Sequence, residues 1–201
     1  QRRTDADDTL ICFFTDHGES LGDHGIWQKE SFFEAAAHIP FMLSWPARLN
    51  PQHRGELVCL TDLFGIATAA SGETVLRDGV DVLRMLDADA HADAAGRELL
   101  IGVHARPDSP FFKVMVRSGH WKLIYYVNGG IRQLFDLRED PDELHDVGAD
   151  NAVVLEELLN SAASYFDQHG VHGALEDGAL REAPFRSWQD LSDEPPTSSI
   201  P

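Results

Sequence analysis

The sequence predicts an α/β protein, and three observations carry that prediction. A short run of bulky apolar residues, Leu10, Ile11, Cys12, Phe13 and Phe14, precedes a polar, glycine-flanked segment. It is too brief for a helix and suits a strand buried on both faces of a parallel sheet. A second apolar stretch, residues 38–45, is followed by helix-like sequence over residues 61–72. From Glu98 the texture changes to short strands separated by turn signals and closed by one amphipathic helix.

The first strand ends in Thr15, Asp16, His17 and Gly18. Open α/β sheets gather ligands at such carboxyl ends, because the loops leave there and polar side chains reach a crevice. A carboxylate beside an imidazole suits a cation, and Lys29 is a mobile point charge able to hold an oxyanion. Gly18 lets the chain turn without a Cβ clash, and a second glycine-flanked segment, residues 22–25, follows it. His24 inside that segment is expected to hold the loop through a backbone hydrogen bond rather than to carry protons.

Residues 30–37 have helical character, with Phe32 and Phe33 facing inward. Residues 38–45 form the second strand, whose Pro40 a strand's first residues tolerate. Thr61 is placed to cap the next helix, with Asp62 favourable in its first turn. The Ala/Asp-rich stretch LDADAHADAAGR reads as a surface linker and a boundary. Beyond it, residues 99–103, 112–117, 122–127 and 133–137 are bounded by Pro107-Asp108, Ser118-Gly119 and Asn128-Gly129-Gly130. That spacing predicts a small antiparallel sheet with a hairpin at the NGG turn. Asp150 or Asn151 is expected to cap a helix whose apolar positions Val154, Leu155, Leu158, Leu159, Ala162, Tyr165 and Phe166 keep helical spacing as far as Gly170. The chain thus divides into residues 1–96, an α/β part; 97–170, a sheet covered by one helix; and 171–201, a tail expected to run over the surface or to be disordered.

The segment TDHGESLGDHGIWQK, followed by SFFEAAAHIPFMLSWP, resembles the metal-site segment of the sulfatases, within the alkaline-phosphatase-like superfamily, and that of the related phosphonate monoester hydrolases. Thr15 stands where Ser is common in that family. LTDLFGIATAASG and DGVDVLRML are similar to the family's next helix and the short segment after it, and MVRSGHWKLIYY with QLFDLREDPDELHDV is similar to its carboxyl-terminal subdomain. The resemblance implies the carboxyl-terminal part of an alkaline-phosphatase-like α/β/α sandwich followed by a small antiparallel-sheet subdomain packed with one helix. It makes Asp16 and His17 metal ligands and Lys29 a substrate-anion contact in catalysis. It further implies a sulfuric ester hydrolase, with calcium the first expected metal and manganese the second, acting on a sulfate-ester small molecule or glycan. A formylglycine nucleophile and the remaining ligands are expected upstream of this chain, and the isolated 201 residues are expected to be inactive. A phosphonate monoester or phosphodiester hydrolase is the alternative within the superfamily; a noncatalytic stand-alone module is the alternative outside it.

Other candidates carry less chemistry. Ser44, Trp45, Pro46, Ala47 and Arg48 fit the family's C/S-x-P-x-R nucleophile pattern, but Pro51 and Gly55 discourage the helix that pattern opens, so the match reads as accidental. Asp136, Asp140, Asp142 and Glu143 cluster like a cation site and read as a solvated, capped turn; His104 reads as a surface histidine. Cys12 and Cys59 lie in apolar surroundings without a CxxC partner, as buried free thiols do. A formal net charge of -18 argues against nucleic acid and anionic membrane partners. No apolar run reaches the roughly 18 residues that a bilayer-spanning helix needs.

Overall fold

A computed structural model describes residues 5–73, 75, 78–86 and 96–192. The interior of the LDADAHADAAGR stretch and the last nine residues lie outside the described residues. The chain forms two compact units that meet in sequence between Leu100 and Ile101.

In the first unit, β1 (Ile11–Phe14) pairs antiparallel with β2 (Phe41–Ser44), in the register Ile11 opposite Ser44 and Phe14 opposite Phe41. The parallel, doubly buried strand expected here is therefore not found among the described residues. Alternation in this two-stranded ribbon places Ile11, Phe13 and Met42 on one face, where each is more than half exposed, while Phe14 and Phe41 meet on the other with ring centroids 6.5 Å apart. A short helix, α1 (Glu34–Ala37), precedes β2 and buries Phe33 and Ala36. It starts four residues later than the sequence suggests.

Helices α2 (Asp62–Ala70) and α3 (Val82–Leu86) contribute Ile66, Val82 and Met85 to the buried set. Thr61 makes no side-chain capping bond; its hydroxyl lies 3.0 Å from Cys59 Sγ. Asp62 stands in the first turn as expected, is fully buried there, and joins three segments. Its carboxylate accepts from Cys59 N–H at 2.7 Å, from Val80 N–H at 2.8 Å, and from the Arg97 guanidinium at 2.8 and 3.1 Å. A Cβ at Gly79 would come within about 3 Å of Thr61 O and Asp62 Oδ1, so the chain passes this point only as glycine.

The second unit is built on a four-stranded sheet of β3 (Leu99–His104), β4 (Lys113–Ser118), β5 (Trp121–Tyr126) and β6 (Ile131–Asp136), in that spatial order. β4, β5 and β6 are antiparallel neighbours, and the Gly129-Gly130 turn between the last two uses positive φ at both glycines, as expected for a hairpin. Val114, Val116, Leu123, Ile124, Leu134 and Phe135 are essentially inaccessible. Each contributes roughly 1.5–3 kcal/mol relative to exposure.

Helix α4 (Ala152–Gln168) packs Leu158, Leu159, Ala162, Ala163 and Phe166 inward, with Phe166 6.2 Å from Phe112 between ring centroids. Tyr165, expected in that stripe, is exposed, and its place is taken by Ala163. Asn151 stands at the N-cap as expected but makes no side-chain capping bond, for its amide donates to Val147 O at 2.9 Å.

Residues 171–192 are not a loose tail. The hairpin β7 (Leu175–Glu176) and β8 (Ala179–Leu180) packs on α4, and α5 (Trp188–Ser192) follows. Tyr125 Oη donates to Arg181 O at 2.8 Å, Arg181 donates to Pro107 O at 2.7 Å, and Asn128 exchanges two hydrogen bonds with the Arg186 backbone. Hydrogen bonds over long sequence separations, invisible to periodicity, thus secure a segment whose composition reads as featureless. Among the described residues no helix is long and apolar enough to cross a membrane.

Candidate functional site

The loop leaving β1 is held flat against α1. Gly18 N–H donates to Ala36 O at 2.8 Å and Glu19 N–H to Ala35 O at 3.1 Å. A Cβ at Gly18 would collide with the Ala35 carbonyl oxygen, so glycine is required here for close approach rather than for a turn. Positive φ falls further on, at Leu21, Gly22, His24, Gly25 and Gln28. A non-glycine residue in that region costs about 1–3 kcal/mol and persists where its surroundings over-determine it. They do so here: Ser20 N–H donates to Gln28 O at 3.1 Å and Gly22 N–H to Ile26 O at 2.9 Å. His24 holds the loop by stacking, its ring 3.8 Å from that of Phe33 and nearly parallel to it, instead of by the backbone bond the sequence suggests.

This framework brings Asp16, His17 and Lys29 together. His17 Nδ1 lies 2.7 Å from Gly18 O, which can only accept, so Nδ1 carries the ring proton and Nε2 presents its lone pair. Lys29 Nζ donates to that lone pair at 2.9 Å, and Asp16 Oδ2 lies 3.5 Å from the same nitrogen. Asp16 Oδ1 accepts from His17 N–H at 3.1 Å and from Thr15 Oγ1 at 3.2 Å. The Asp16 backbone N–H holds its carboxyl below the usual carboxylate value, against desolvation and with help from His17 and Thr15. Thr15 and the Gly18 carbonyl orient the pair, and sequence reading missed both; a residue noticed only as a departure from Ser gave no sign of its hydrogen bonds.

Two atoms that ligate one divalent ion at about 2.0–2.6 Å stand about 2.8–3.7 Å apart when they meet at a right angle. The separation of Asp16 Oδ2 and His17 Nε2 falls within that span; the carboxylate oxygen suits calcium or manganese, while the imidazole nitrogen is a donor that zinc or iron also accepts. The residues present thus fit the implied metal as part of a ligand set. Among the described residues no group of three or more His, Cys, Asp or Glu side chains could hold an ion.

The remaining candidates are placed elsewhere. Ser44 is exposed at the end of β2, and Arg48 of the SWPAR pattern lies 4.1 Å over the Trp45 ring. Trp45 in turn donates to Asp8 Oδ1 at 3.1 Å. His104 Nδ1 lies 3.4 Å from Phe111 O. Asp140 accepts from His145 N–H at 2.8 Å and Asp136 from Arg138 N–H at 3.0 Å, as in a capped turn, but Glu143 is buried against Lys122 and corrects the solvated reading of that residue. Both cysteines are free and half-buried rather than buried, and desolvation raises the Cys12 thiol.

Comparison with known proteins bears on the fold and the family. Solved structures similar to the chain include a 2-O GAG sulfatase, at a TM-score of 0.74 and 17% identity over 90% of this chain and 40% of that one. The phosphonate monoester hydrolase of Agrobacterium radiobacter is similar at 0.66 and 24%, over 89% and 40%. A protein solved with its substrate D-glucosamine-2-N,6-O-disulfate gives 0.67 and 20%, over 83% and 36%. The chain thus shares the mixed helix and sheet fold of part of these structures. The family model described as Sulfatase matches residues 1–71. The choline-sulfatase of Rhizobium meliloti is 31% identical over 90% of this chain and 35% of its own length, and the arylsulfatase K of Xenopus laevis is 28% identical over 83% and 33%. The family model and these relatives support the sulfatase family for this chain, which spans about a third of the length of these curated relatives.

Proposed function

We propose that the protein to which these residues belong hydrolyses a sulfate monoester, with Asp16 and His17 as two ligands of a divalent metal and Lys29 as the contact to the ester's anionic end. The observation that supports this reading most is the convergence of the Asp16 carboxylate, the His17 Nε2 lone pair and the Lys29 ammonium at the end of β1. Hydrolysis of a sulfate ester shifts charge onto the leaving oxygen while the nonbridging oxygens stay anionic, so the reaction needs fixed positive charge around them. A bound calcium, or manganese as second choice, supplies that Lewis acidity. Gly18 O fixes the imidazole orientation, Thr15 and the His17 N–H fix the carboxylate, and Lys29 adds a mobile ammonium.

The nucleophile in this reading is a formylglycine hydrate carried upstream of these residues, together with the other metal ligands. In this reading Ser44 is not assigned as the nucleophile: it pairs with Ile11, at the opposite end of the ribbon from the strand end that leads to Asp16. The names of the relatives, a choline-sulfatase and arylsulfatase K, and the disulfated glucosamine bound by a structural neighbour support a small-molecule or glycan sulfate ester as substrate. The similarity to a phosphonate monoester hydrolase keeps a phosphoester substrate as the second reading. Turnover of an aryl sulfate and an aryl phosphodiester by the metal-loaded, full-length protein separates the two. Faster turnover of the sulfate supports the first reading, faster turnover of the diester replaces it with the second, and turnover of neither overturns both.

A further inference from the structure

We infer that Lys29 and the divalent cation compete for one lone pair, so that cation binding at His17 frees Lys29 to meet the substrate anion. The inference rests on the proposed assignment of Asp16 and His17 as cation ligands. An imidazole nitrogen has a single in-plane lone pair, which can accept one hydrogen bond or ligate one ion but not both. Nδ1 is committed to Gly18 O at 2.7 Å, and Gly18 is itself pinned by its hydrogen bond to Ala36 O, so Nε2 is the nitrogen left to ligate. The Lys29 ammonium already lies on Nε2 at 2.9 Å, with Asp16 Oδ2 3.5 Å from that same nitrogen. It therefore occupies the lone pair that a ligated cation would need.

The way Lys29 is mounted suits such an exchange. Its neighbour Gln28 is held at φ 76 and its carbonyl is tied to Ser20 N–H, so the base of the side chain is fixed. The four-carbon stem and ammonium are exposed and free to swing. Ligation of His17 Nε2 then costs the protein its contact to Lys29, and the released ammonium carries its charge to the adjacent anion. The consequence is an order of assembly, cation before sulfate, built into one hydrogen bond.

Calcium binding to the metal-stripped, full-length protein tests this by calorimetry on wild type, Lys29→Met and His17→Ala. Loss of a charged but solvent-exposed hydrogen bond predicts about three- to tenfold tighter calcium binding for Lys29→Met. Because simple removal of a positive charge also tightens cation binding, the comparison is repeated at about 0.5 M salt, which screens exposed charges but leaves lone-pair competition in place. Tighter binding that survives high salt supports the inference. Unchanged or weaker binding, or a gain confined to low salt, overturns it while His17→Ala still loses the ion. If His17→Ala binds calcium like wild type, the assignment of the ligands fails first and the inference falls with it. Should Lys29→Met not fold, acetylation of Lys29 in the wild type decides: a rate raised by calcium supports the exchange, and a rate unchanged or lowered overturns it.

Discussion

Lys122 Nζ lies 2.8 Å from Glu143 Oε1, and both side chains are sealed from solvent. Lys122 is buried at the second position of β5, and Glu143 reaches it from the turn after Asp140-Pro141, adopting φ 55 to do so. The carboxylate is felt nearby: burial, and then the Glu143 charge, push the Tyr126 phenol up to about 12. Removing one partner of such a pair leaves an uncompensated buried charge and costs about 3–5 kcal/mol, whereas replacing both with apolar residues of similar volume is often neutral. Glu143→Ala is therefore expected to speed amide hydrogen exchange across β5 and β6 by two to three orders of magnitude. Lys122→Met with Glu143→Leu is expected to restore most of that protection. Equal loss in the single and double variants would contradict this account.

Asp62 gives a pH dependence whose sign follows from its partners. Burial raises its carboxyl, but the Arg97 guanidinium and the backbone N–H groups of Cys59 and Val80 outweigh that and leave it below the ordinary value. A carboxyl depressed in the folded state contributes stability that is fully present above its unfolded value, about 3.9, and is lost as pH falls through the folded one. Thermal melts of the full-length protein between pH 6 and pH 3 should show an acid-side loss of stability that shrinks in Asp62→Asn. At neutral pH that variant should be less stable than wild type, because Arg97 loses its buried charged partner. An acid limb of the same steepness in both proteins would remove Asp62 from the explanation.

How much of this was legible in the sequence depends on the range of the interaction. The strand-end group of Asp16, His17 and Lys29 could be read because its members lie within one loop, and the NGG hairpin because its turn chemistry is local. The apolar run at Ile11 identified a strand but could not give its pairing, since an antiparallel ribbon and a parallel sheet both accept bulky side chains. Asp62 does stand in the first turn of its helix as read, but its burial was not legible because its partners, Val80 and Arg97, lie 18 and 35 residues away. Glu143 resembled its solvated neighbours Asp140 and Asp142 for the same reason. Its burial is set by Lys122 on another strand, in a stretch where a lysine among apolar residues looks like ordinary alternation.

The close approach at Gly18 predicts a sharp penalty. Any side chain there meets the Ala35 carbonyl, so either the hydrogen bonds of Gly18 and Glu19 to α1 open or the loop carrying His17 shifts. Overpacking of this kind costs about 1–3 kcal/mol. Because the His17 ring takes its orientation from Gly18 O, Gly18→Ala should weaken metal binding by more than tenfold while protecting the sheet around β5 as in wild type. Wild-type metal affinity in Gly18→Ala would show that this contact does not position the site.

Asp16 and Ser44 offer opposed tests, since each lies at the end of a strand in the same ribbon and only one is placed for chemistry. Asp16 is within 3.5 Å of the His17 nitrogen that faces Lys29, whereas Ser44 pairs in register with Ile11 and the arginine of its pattern is spent on Trp45. In the full-length protein Asp16→Ala should lose bound metal and sulfatase turnover together, because the remaining imidazole is a weaker hold on a hard cation than oxygen and nitrogen combined. Ser44→Ala should keep turnover within about twofold, the range of surface substitutions away from a site. Metal analysis and initial rates on the two variants check both. Retained metal in Asp16→Ala would take the carboxylate out of the site, and a large loss of turnover in Ser44→Ala, with metal retained, would return the SWPAR segment to candidacy as the nucleophile.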